Sequence, residues 1–189
     1  MVKNYNEVLH ESAHIDCGSV ILRRFSGADA ADALEYMSDS DVIKYLGWGN
    51  VPKDMQAVKD RIYNTSIISP STYAIEFKET GKCIGEIGFR LNVSSERAEI
   101  YYMLHRGYWG KGIMSVVLSA IIKLCFEGIG LNRVEAGHFV GNEVSGKVME
   151  KCGMIKEGVA RGLIKDGDIF RDEVKYGLLR NEWEAFLKA

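Results

Sequence analysis

The chain has 189 residues, 47% of them hydrophobic and 26% charged, with a formal net charge of −2. This length and balance fit one globular domain and exclude a disordered or fibrous chain. The near-neutral charge gives no overall reason to expect a nucleic acid or an anionic membrane as partner, and no apolar run reaches membrane-spanning length. The polar start, Met1 to Glu7, lacks a signal-peptide core.

Four cysteines are widely spaced and form no CxxC pair, which predicts reduced thiols in a cytoplasmic protein. Residues 1–16 are polar and unpatterned, and we expect them to be a loose N-terminal extension. Residues 17–189 then form a single domain.

The first elements are a short strand and two helices. Val20 to Leu22 predicts the strand, and the stretch 28–34 predicts a helix that Ser26 or Gly27 can cap. A second helix follows Pro52, where apolar residues recur at spacings of three and four.

Three consecutive strands come next. Residues 73–77 and 84–89 flank the turn 79–82, so they predict a hairpin. The third strand, 98–104, places Ile100, Tyr102 and Leu104 on one face and Glu99, Tyr101 and Met103 on the other.

The second half alternates helix and strand. The stripe from Ile113 to Cys125 predicts the clearest helix, which Gly128 or Gly130 ends. A strand at 133–140, a short helix at 142–152 and a hairpin turning at Asp166-Gly167 follow. Short turns make the three consecutive strands 73–77, 84–89 and 98–104 antiparallel neighbours, whereas the later β-α-β crossover requires a parallel pair. We therefore predict an α/β fold with a mixed, mostly antiparallel sheet flanked by helices.

The sharpest motif is the glycine-rich turn Gly107-Tyr108-Trp109-Gly110-Lys111-Gly112, which lies between the third strand and the clearest helix. Glycines let backbone N–H groups approach a ligand, and a helix N-terminus favours a phosphate or diphosphate. A tight turn without a ligand explains the same residues. A dinucleotide fingerprint fits poorly, because the spacing here is GxxGxG after a hairpin series.

At this point the sequence resembles the GNAT N-acetyltransferase superfamily, most closely its branch of ribosomal-protein N-terminal acetyltransferases (the Rim type). The resemblance spans roughly residues 18–180, and its segments occur in the same order in both. The segments that carry it are Val42-Ile43-Lys44-Tyr45-Leu46-Gly47-Trp48, Ala98 to Leu104, Tyr108-Trp109-Gly110-Lys111-Gly112-Ile113-Met114, Asn142-Glu143-Val144-Ser145 and Glu150-Lys151-Cys152-Gly153-Met154.

The resemblance implies that acetyl-CoA binds where a parallel strand pair splays apart, with backbone donors of the turn on its diphosphate. Gly107 replaces the basic or amide residue that usually opens this loop, and Lys111 adds a point charge. The implied cofactor-binding residues are Met103, Leu104, Gly107, Tyr108, Trp109, Gly110, Lys111, Gly112, Ile113, Met114 and Asn142. No metal is implied.

Acetyl transfer needs a neutral amine and a proton for the departing thiolate. Glu99 lies where some family members carry a catalytic glutamate, so we expect it to be the base; an ion-paired strand carboxylate is the alternative. Ser145 corresponds to the serine thought to act as acid in the Rim branch, because Met149 stands where other members carry a tyrosine. Asn142 is also a good helix N-cap, and Trp48 either walls the acceptor pocket or belongs to the core.

Two further motifs resemble other sites. His10-Glu11-Ser12-Ala13-His14 matches HExxH, but the flanks give no long helix and no third ligand, which favours a chance match. Residues 141–147 approach a P-loop, but Val148 stands where Ser or Thr would coordinate magnesium, so we reject a nucleotidase.

The acceptor is expected to be a primary amine, with the Rim resemblance favouring a protein N-terminal α-amine. Polyamines, amino acids and antibiotic amines stay open, as does a non-catalytic acyl-CoA sensor of the same fold. A homodimer is compatible with the sequence, which does not decide it.

Overall fold

The computed structural model describes residues 4–45, 51–52, 54–68 and 70–188, with only the backbone for residues 66–68. The described residues form one eight-stranded sheet with helices on both faces. The strands are β1 His14–Cys17, β2 Val20–Arg23, β3 Thr72–Phe77, β4 Lys82–Asn92, β5 Arg97–Leu104, β6 Arg133–Phe139, β7 Ile155–Asp166 and β8 Ile169–Leu179.

The helices of the described ranges are α1 Tyr5–Glu11, α2 Ala30–Met37, α3 Ser40–Ile43, α4 Met55–Ile68, α5 Ile113–Lys123, α6 Glu143–Lys151 and α7 Arg180–Phe186. A π-helical stretch, Leu124–Ile129, continues α5 and ends at Gly130, whose φ is 91°. None of the helices in the described ranges is both long and apolar enough to cross a membrane.

The sheet has the order β1-β2-β3-β4-β5-β6-β8-β7. Its neighbours are antiparallel except β5 and β6, which are parallel and joined by the crossover through α5. The predicted mixed, mostly antiparallel α/β fold is therefore confirmed, and the required parallel pair is β5–β6.

The alternation along β5 separates two cores. Ala98, Ile100 and Leu104 point into the larger core, which also contains the buried side of α5. Met103 points to the opposite face, where it packs with residues of α2 and α4. The predicted division of β5 into two faces is confirmed.

The structure differs from the prediction of a loose extension over residues 1–16. Among its described residues, α1 buries Leu9, and β1 pairs antiparallel with β2 from His14↔Arg23 to Cys17↔Val20. The segment looked unpatterned because β1 is an edge strand that buries only Cys17. Exposed edges favour polar residues, so its composition resembles that of a tail.

The structure places the two histidines of the HExxH match in different elements. His10 lies at the end of α1, which stops at Glu11, whereas His14 begins β1. The two imidazoles therefore lack the shared helical face that this zinc motif requires.

Candidate active site

The glycine-rich turn leads from β5 into α5. A short 3₁₀ turn, Arg106–Tyr108, comes first, and Gly110 and Gly112 then adopt φ values of 72° and 76°. L-residues with side chains rarely adopt this left-handed region, which explains both glycines. Gly112 is the N-cap of α5 and offers no side-chain cap, so the first N–H groups of the helix have neither an intrahelical nor an N-cap side-chain acceptor.

The turn is anchored at both ends of its 3₁₀ segment. Trp109 donates its indole N–H to the carbonyl oxygen of Leu104 at 2.8 Å, which ties the turn to the last residue of β5. His105 Nδ1 accepts the N–H of Gly107 at 3.0 Å, while the ring of Tyr108 packs edge-on against Phe77. These contacts fix the position of the turn beside the sheet.

Next to this turn the two parallel strands separate. β5 and β6 pair only from Arg97↔Arg133 to Glu99↔Glu135, although both strands continue beyond that point. A cavity of about 720 Å³ lies there, between residues 100–104 of β5 and residues 137–139 of β6. The N-terminus of α5 and the exposed side of α6 complete its wall.

A helix N-terminus beside a split parallel pair is the arrangement that the sequence resemblance implies. Residues 19–155 match the family model described as an acetyltransferase (GNAT) domain. The chain belongs to the GNAT acetyltransferase family. It is accordingly an acetyl-CoA-dependent N-acetyltransferase.

Similar proteins agree with this membership. The "Uncharacterized N-acetyltransferase p20" of Bacillus licheniformis is 32% identical over 86% of this chain and 93% of its own length. The "Putative ribosomal N-acetyltransferase YdaF" of Bacillus subtilis is 38% identical over 50% of this chain and 52% of its own. The crystal structure of a GNAT-family acetyltransferase from Bacillus anthracis superposes with a TM-score of 0.81 and 26% identity, covering 89% and 99% of the two chains.

The cavity of this GNAT enzyme brings most predicted site residues together. Glu99 and Asn142 line it, and so do predicted residues of β5, the turn and α5: Met103, Leu104, Tyr108, Trp109, Gly110, Gly112, Ile113 and Met114. Gly107, Lys111 and Ser145 are described but are not part of the lining. Trp48 lies outside the described residues.

The lining also contains residues that sequence reasoning missed. Lys147 and Lys151 lie four positions apart on α6, so they share one helical face beside the N-terminus of α5. Their spacing could have been noticed in the sequence. Glu173 also lines the cavity, but it comes from β8, and only the pairing of β8 with β6 brings it there.

Glu99 lies where the two strands part, and its carboxylate is flanked by cations. Arg90 Nη1 on β4 is 3.5 Å from Glu99 Oε2, and Lys175 Nζ on β8 is 3.6 Å from Oε1. The Glu99 side chain is 38% exposed, so water reaches it. Glu99 is therefore an ion-paired strand carboxylate that lines the cavity, and its role as a base stays a prediction.

Ser145 lies on α6 behind the cavity wall. Its carbonyl oxygen accepts a hydrogen bond from the Tyr102 hydroxyl at 3.2 Å, and Tyr102 does line the cavity. Burial raises the pKa of Tyr102, so this phenol keeps its proton. Asn142 occupies the N-cap of α6 without making a side-chain capping bond, and it is one of the residues that line the cavity.

Proposed function

We propose that the cavity between β5 and β6 binds acetyl-CoA and that the acceptor is the α-amine of a protein N-terminus. The observation that carries the proposal is the early separation of the two strands directly beside the uncapped start of α5. Such a place offers a strand edge, a set of helix N–H donors and a slot between them.

Each part of acetyl-CoA has a matching feature in the cavity. The N–H groups of residues 110–114 suit the diphosphate, because they combine uncapped donors with the positive end of the α5 dipole. Beyond Glu99, no strand of the described residues pairs with β5 on its β6 side, and this free edge suits the amide groups of pantetheine. Lys147 and Lys151 place two positive charges on the same cavity for the phosphates.

The transfer is a direct attack. The amine nitrogen bonds to the acetyl carbonyl carbon, and the carbon–sulfur bond breaks as the tetrahedral intermediate collapses. In this proposal, Glu99 takes the proton that the nitrogen loses, through a water molecule, and a second water protonates the thiolate. Ser145 lies outside the cavity lining, so a role of its hydroxyl in steering that water stays a prediction from the family resemblance. The net products are the acetylated amine and free coenzyme A, so no further reactant is needed.

An α-amine acceptor suits this site because of its chemistry. Its ordinary pKa of about 7.7–8.0 lies well below the value of about 10.4 for lysine, so it needs little help to become neutral. Water reaches the partly exposed Glu99 carboxylate, so a proton can pass to it from such an acceptor through a water molecule. The Rim resemblance and the name of the relative YdaF support the same class.

A release assay for free thiol tests the proposal. The enzyme is given acetyl-CoA with a short peptide that has a free α-amine, the same peptide blocked at its N-terminus but carrying a lysine, or a polyamine. We expect release with the first peptide alone. Release of free thiol with the polyamine alone would show that the acceptor is a small molecule and not a protein α-amine. If acetyl-CoA bound but no amine caused release of free thiol, the proposed catalysis would be contradicted.

Variants then test the two assigned groups. Glu99→Gln should lower kcat by about 10², the lower end of the range for a general base, because an α-amine needs little help to become neutral. Ser145→Ala should lower kcat without changing the affinity for coenzyme A. A Glu99→Gln enzyme with the pH–rate profile of the wild type would remove Glu99 from the mechanism.

A further inference from the structure

Arg90 presents a guanidinium group to the cavity from β4. It is the register partner of Glu99 on β5, and its Nη1 lies 3.5 Å from Glu99 Oε2. Both residues line the cavity, and the Arg90 side chain is 63% exposed. The pair therefore places a positive group directly beside the carboxylate that takes the acceptor's proton in the proposed function.

The ring of Tyr101 holds this guanidinium in place. The Arg90 Cζ lies 4.8 Å from the centre of the ring, within the range of a cation–π contact. The Tyr101 hydroxyl is in turn 2.6 Å from the Thr72 hydroxyl, and a Cβ on Gly88 would overlap it. Because the ring is fixed in this way, the stacked guanidinium has less freedom to lose when it binds a ligand.

The N–H donors of the Arg90 guanidinium are unused in the part of the chain that the structure describes. A guanidinium has five such donors in a planar fork that matches a carboxylate. Arg133 uses its fork in this manner, donating hydrogen bonds to Glu135 and Glu157. Arg90 makes only the ion pair with Glu99 and the contact with the Tyr101 ring. Its donors are therefore available to a second carboxylate.

Arg90 lies away from the place proposed for the diphosphate. β4 and β5 pair from Gly85↔Leu104 to Asn92↔Arg97, so Arg90 is opposite a residue five positions before the end of β5. The uncapped N–H groups that suit the diphosphate lie beyond that end, at the start of α5. The group that meets Arg90 is therefore part of the acceptor, whose amine approaches Glu99.

We propose that Arg90 binds a carboxylate of the acceptor, so that the enzyme selects acceptors in which a carboxylate lies close to the reacting amine. This rests on the proposed function, because Glu99 marks where the amine loses its proton. The Arg90–Glu99 pair is complementary to such an acceptor, since the amine faces the anion and the carboxylate faces the cation.

Two kinds of acceptor carry this pair of groups. Consecutive Cα atoms are about 3.8 Å apart, so in a protein N-terminus only the first two residues keep an acidic side chain within reach of Arg90. A free amino acid offers the same chemistry through its α-carboxylate. The proposed protein acceptor predicts the first kind.

Peptides that differ at one residue test the selection. Release of free thiol from acetyl-CoA is measured with two pairs of peptides amidated at the C-terminus, one pair with Asp or Asn at the first position and one with Asp or Asn at the second. Free alanine is a further acceptor. In at least one pair, kcat/KM should be about tenfold higher for the Asp peptide, as expected for a charge-assisted hydrogen bond at a partly exposed site.

Two variants distinguish direct binding of the carboxylate from an effect through Glu99. Arg90 and Lys175 both contact Glu99, at 3.5 and 3.6 Å, but of the two only Arg90 lines the cavity. Arg90→Gln should abolish the preference for Asp, whereas Lys175→Met should leave it unchanged. Arg90→Lys should keep part of it, because lysine retains the charge without the planar fork. Calorimetric titration with coenzyme A shows that each variant is folded.

Equal kcat/KM for the Asp and Asn peptides in the wild type would overturn the inference and leave the protein acceptor standing. An equal loss of the preference in Arg90→Gln and Lys175→Met would also overturn it, since the preference would then arise through Glu99. Acetylation of free alanine but of no peptide, lost in Arg90→Gln, would uphold the carboxylate site and reject the protein N-terminus. A polyamine as the sole acceptor would reject both.

Discussion

The indole N–H of Trp109 donates to the carbonyl oxygen of Leu104 at 2.8 Å, so the last residue of β5 holds the turn that precedes α5. The strand edge and the helix N-terminus that flank the cavity are thereby fixed relative to each other. A ligand that contacts both would depend on this bond, even though neither group is charged.

Trp109→Phe keeps the aromatic ring but removes this donor. A net contribution of about 0.5–1.5 kcal/mol for such a hydrogen bond corresponds to a two- to tenfold weaker affinity for coenzyme A. Isothermal titration calorimetry measures the affinity of Trp109→Phe for coenzyme A. Val116→Ala is the control, because Val116 is an exposed residue of α5. Equal affinities for both variants and the wild type would show that the turn is held without the indole.

Strand alternation and the turn residues carried most of the fold prediction. The period-two patterns are clear because the larger core takes the bulky apolar side chains of β3 and β5, whereas the opposite face takes mostly smaller or polar ones. On β3, for example, Tyr73 and Ile75 point into the larger core and Ala74 into the other. Two glycines with positive φ marked boundaries that the sequence predicted: Gly130 ends the helical stretch that follows α5, and Gly167 lies in the turn of the last hairpin.

What the sequence could not reveal depends on distant pairing or on very short elements. α3 has four residues, and α7 buries only Trp183, so neither produces a periodic stripe. Glu173 reaches the cavity because β8 lies between β6 and β7, an order that no local pattern contains. Sequence reasoning therefore found the cavity wall formed by β5, the turn and α5 better than the side formed by β8.

The carboxylate of Asp29 makes folding sensitive to acid. Burial opposes its ionisation, but hydrogen bonds from Arg23 at 2.7 and 2.8 Å and from the Ser26 N–H at 2.7 Å outweigh burial and lower the pKa of Asp29. A lowered folded-state pKa stabilises the protein above the unfolded value near 3.8. That stability is lost as the pH falls from there through the folded-state value.

Asp29→Asn should therefore lower the free energy of unfolding at pH 7 by about 1.5–3 kcal/mol, the range for hydrogen bonds to charged groups. Urea unfolding between pH 7 and pH 2.5 should show the two curves approaching each other below pH 3.8. Asp16→Asn is the control, since Asp16 pairs with Lys78 at an exposed site. A constant gap at every pH would mean that Asp29 acts through packing instead of charge.

Arg61 and Glu86 form a buried ion pair between α4 and β4. Two hydrogen bonds of 2.8 and 2.6 Å join them, and Glu86 is fully buried. Arg61→Met leaves that carboxylate without its guanidinium, which should cost about 3–5 kcal/mol of unfolding free energy. Arg61→Met/Glu86→Leu should recover most of the loss, because no buried charge remains.

Chemical unfolding of the two variants measures this difference. Lys123→Met is the matched control: its partner Glu127 lies one helical turn away, both are exposed, and such pairs contribute about 0.3–0.5 kcal/mol. If Arg61→Met were no more costly than Lys123→Met, water would have to reach Glu86 despite its burial.

A comparison of alanine variants at Gly112 and Gly18 distinguishes the effect of backbone strain from an effect on ligand binding. Both have φ near 80° (76° and 79°), and a Cβ on either would meet none of the described atoms within 4 Å beyond those of its chain neighbours. Alanine at each position should therefore cost a similar free energy of folding, about 1–2 kcal/mol, through the left-handed conformation alone. Only Gly112 lies at the start of α5, whereas Gly18 joins β1 to β2.

Only Gly112→Ala should consequently weaken the affinity for coenzyme A. The alanine relieves its backbone strain by turning the first N–H groups of α5 away from the ligand, and a loss of about 1.4 kcal/mol corresponds to a roughly tenfold weaker affinity. Calorimetric titration of both variants with coenzyme A, beside their urea unfolding curves, provides the comparison. Equal destabilisation with unequal affinity places the diphosphate at this turn. Equal affinity in the two variants would place it elsewhere, because the donors would have been disturbed without consequence.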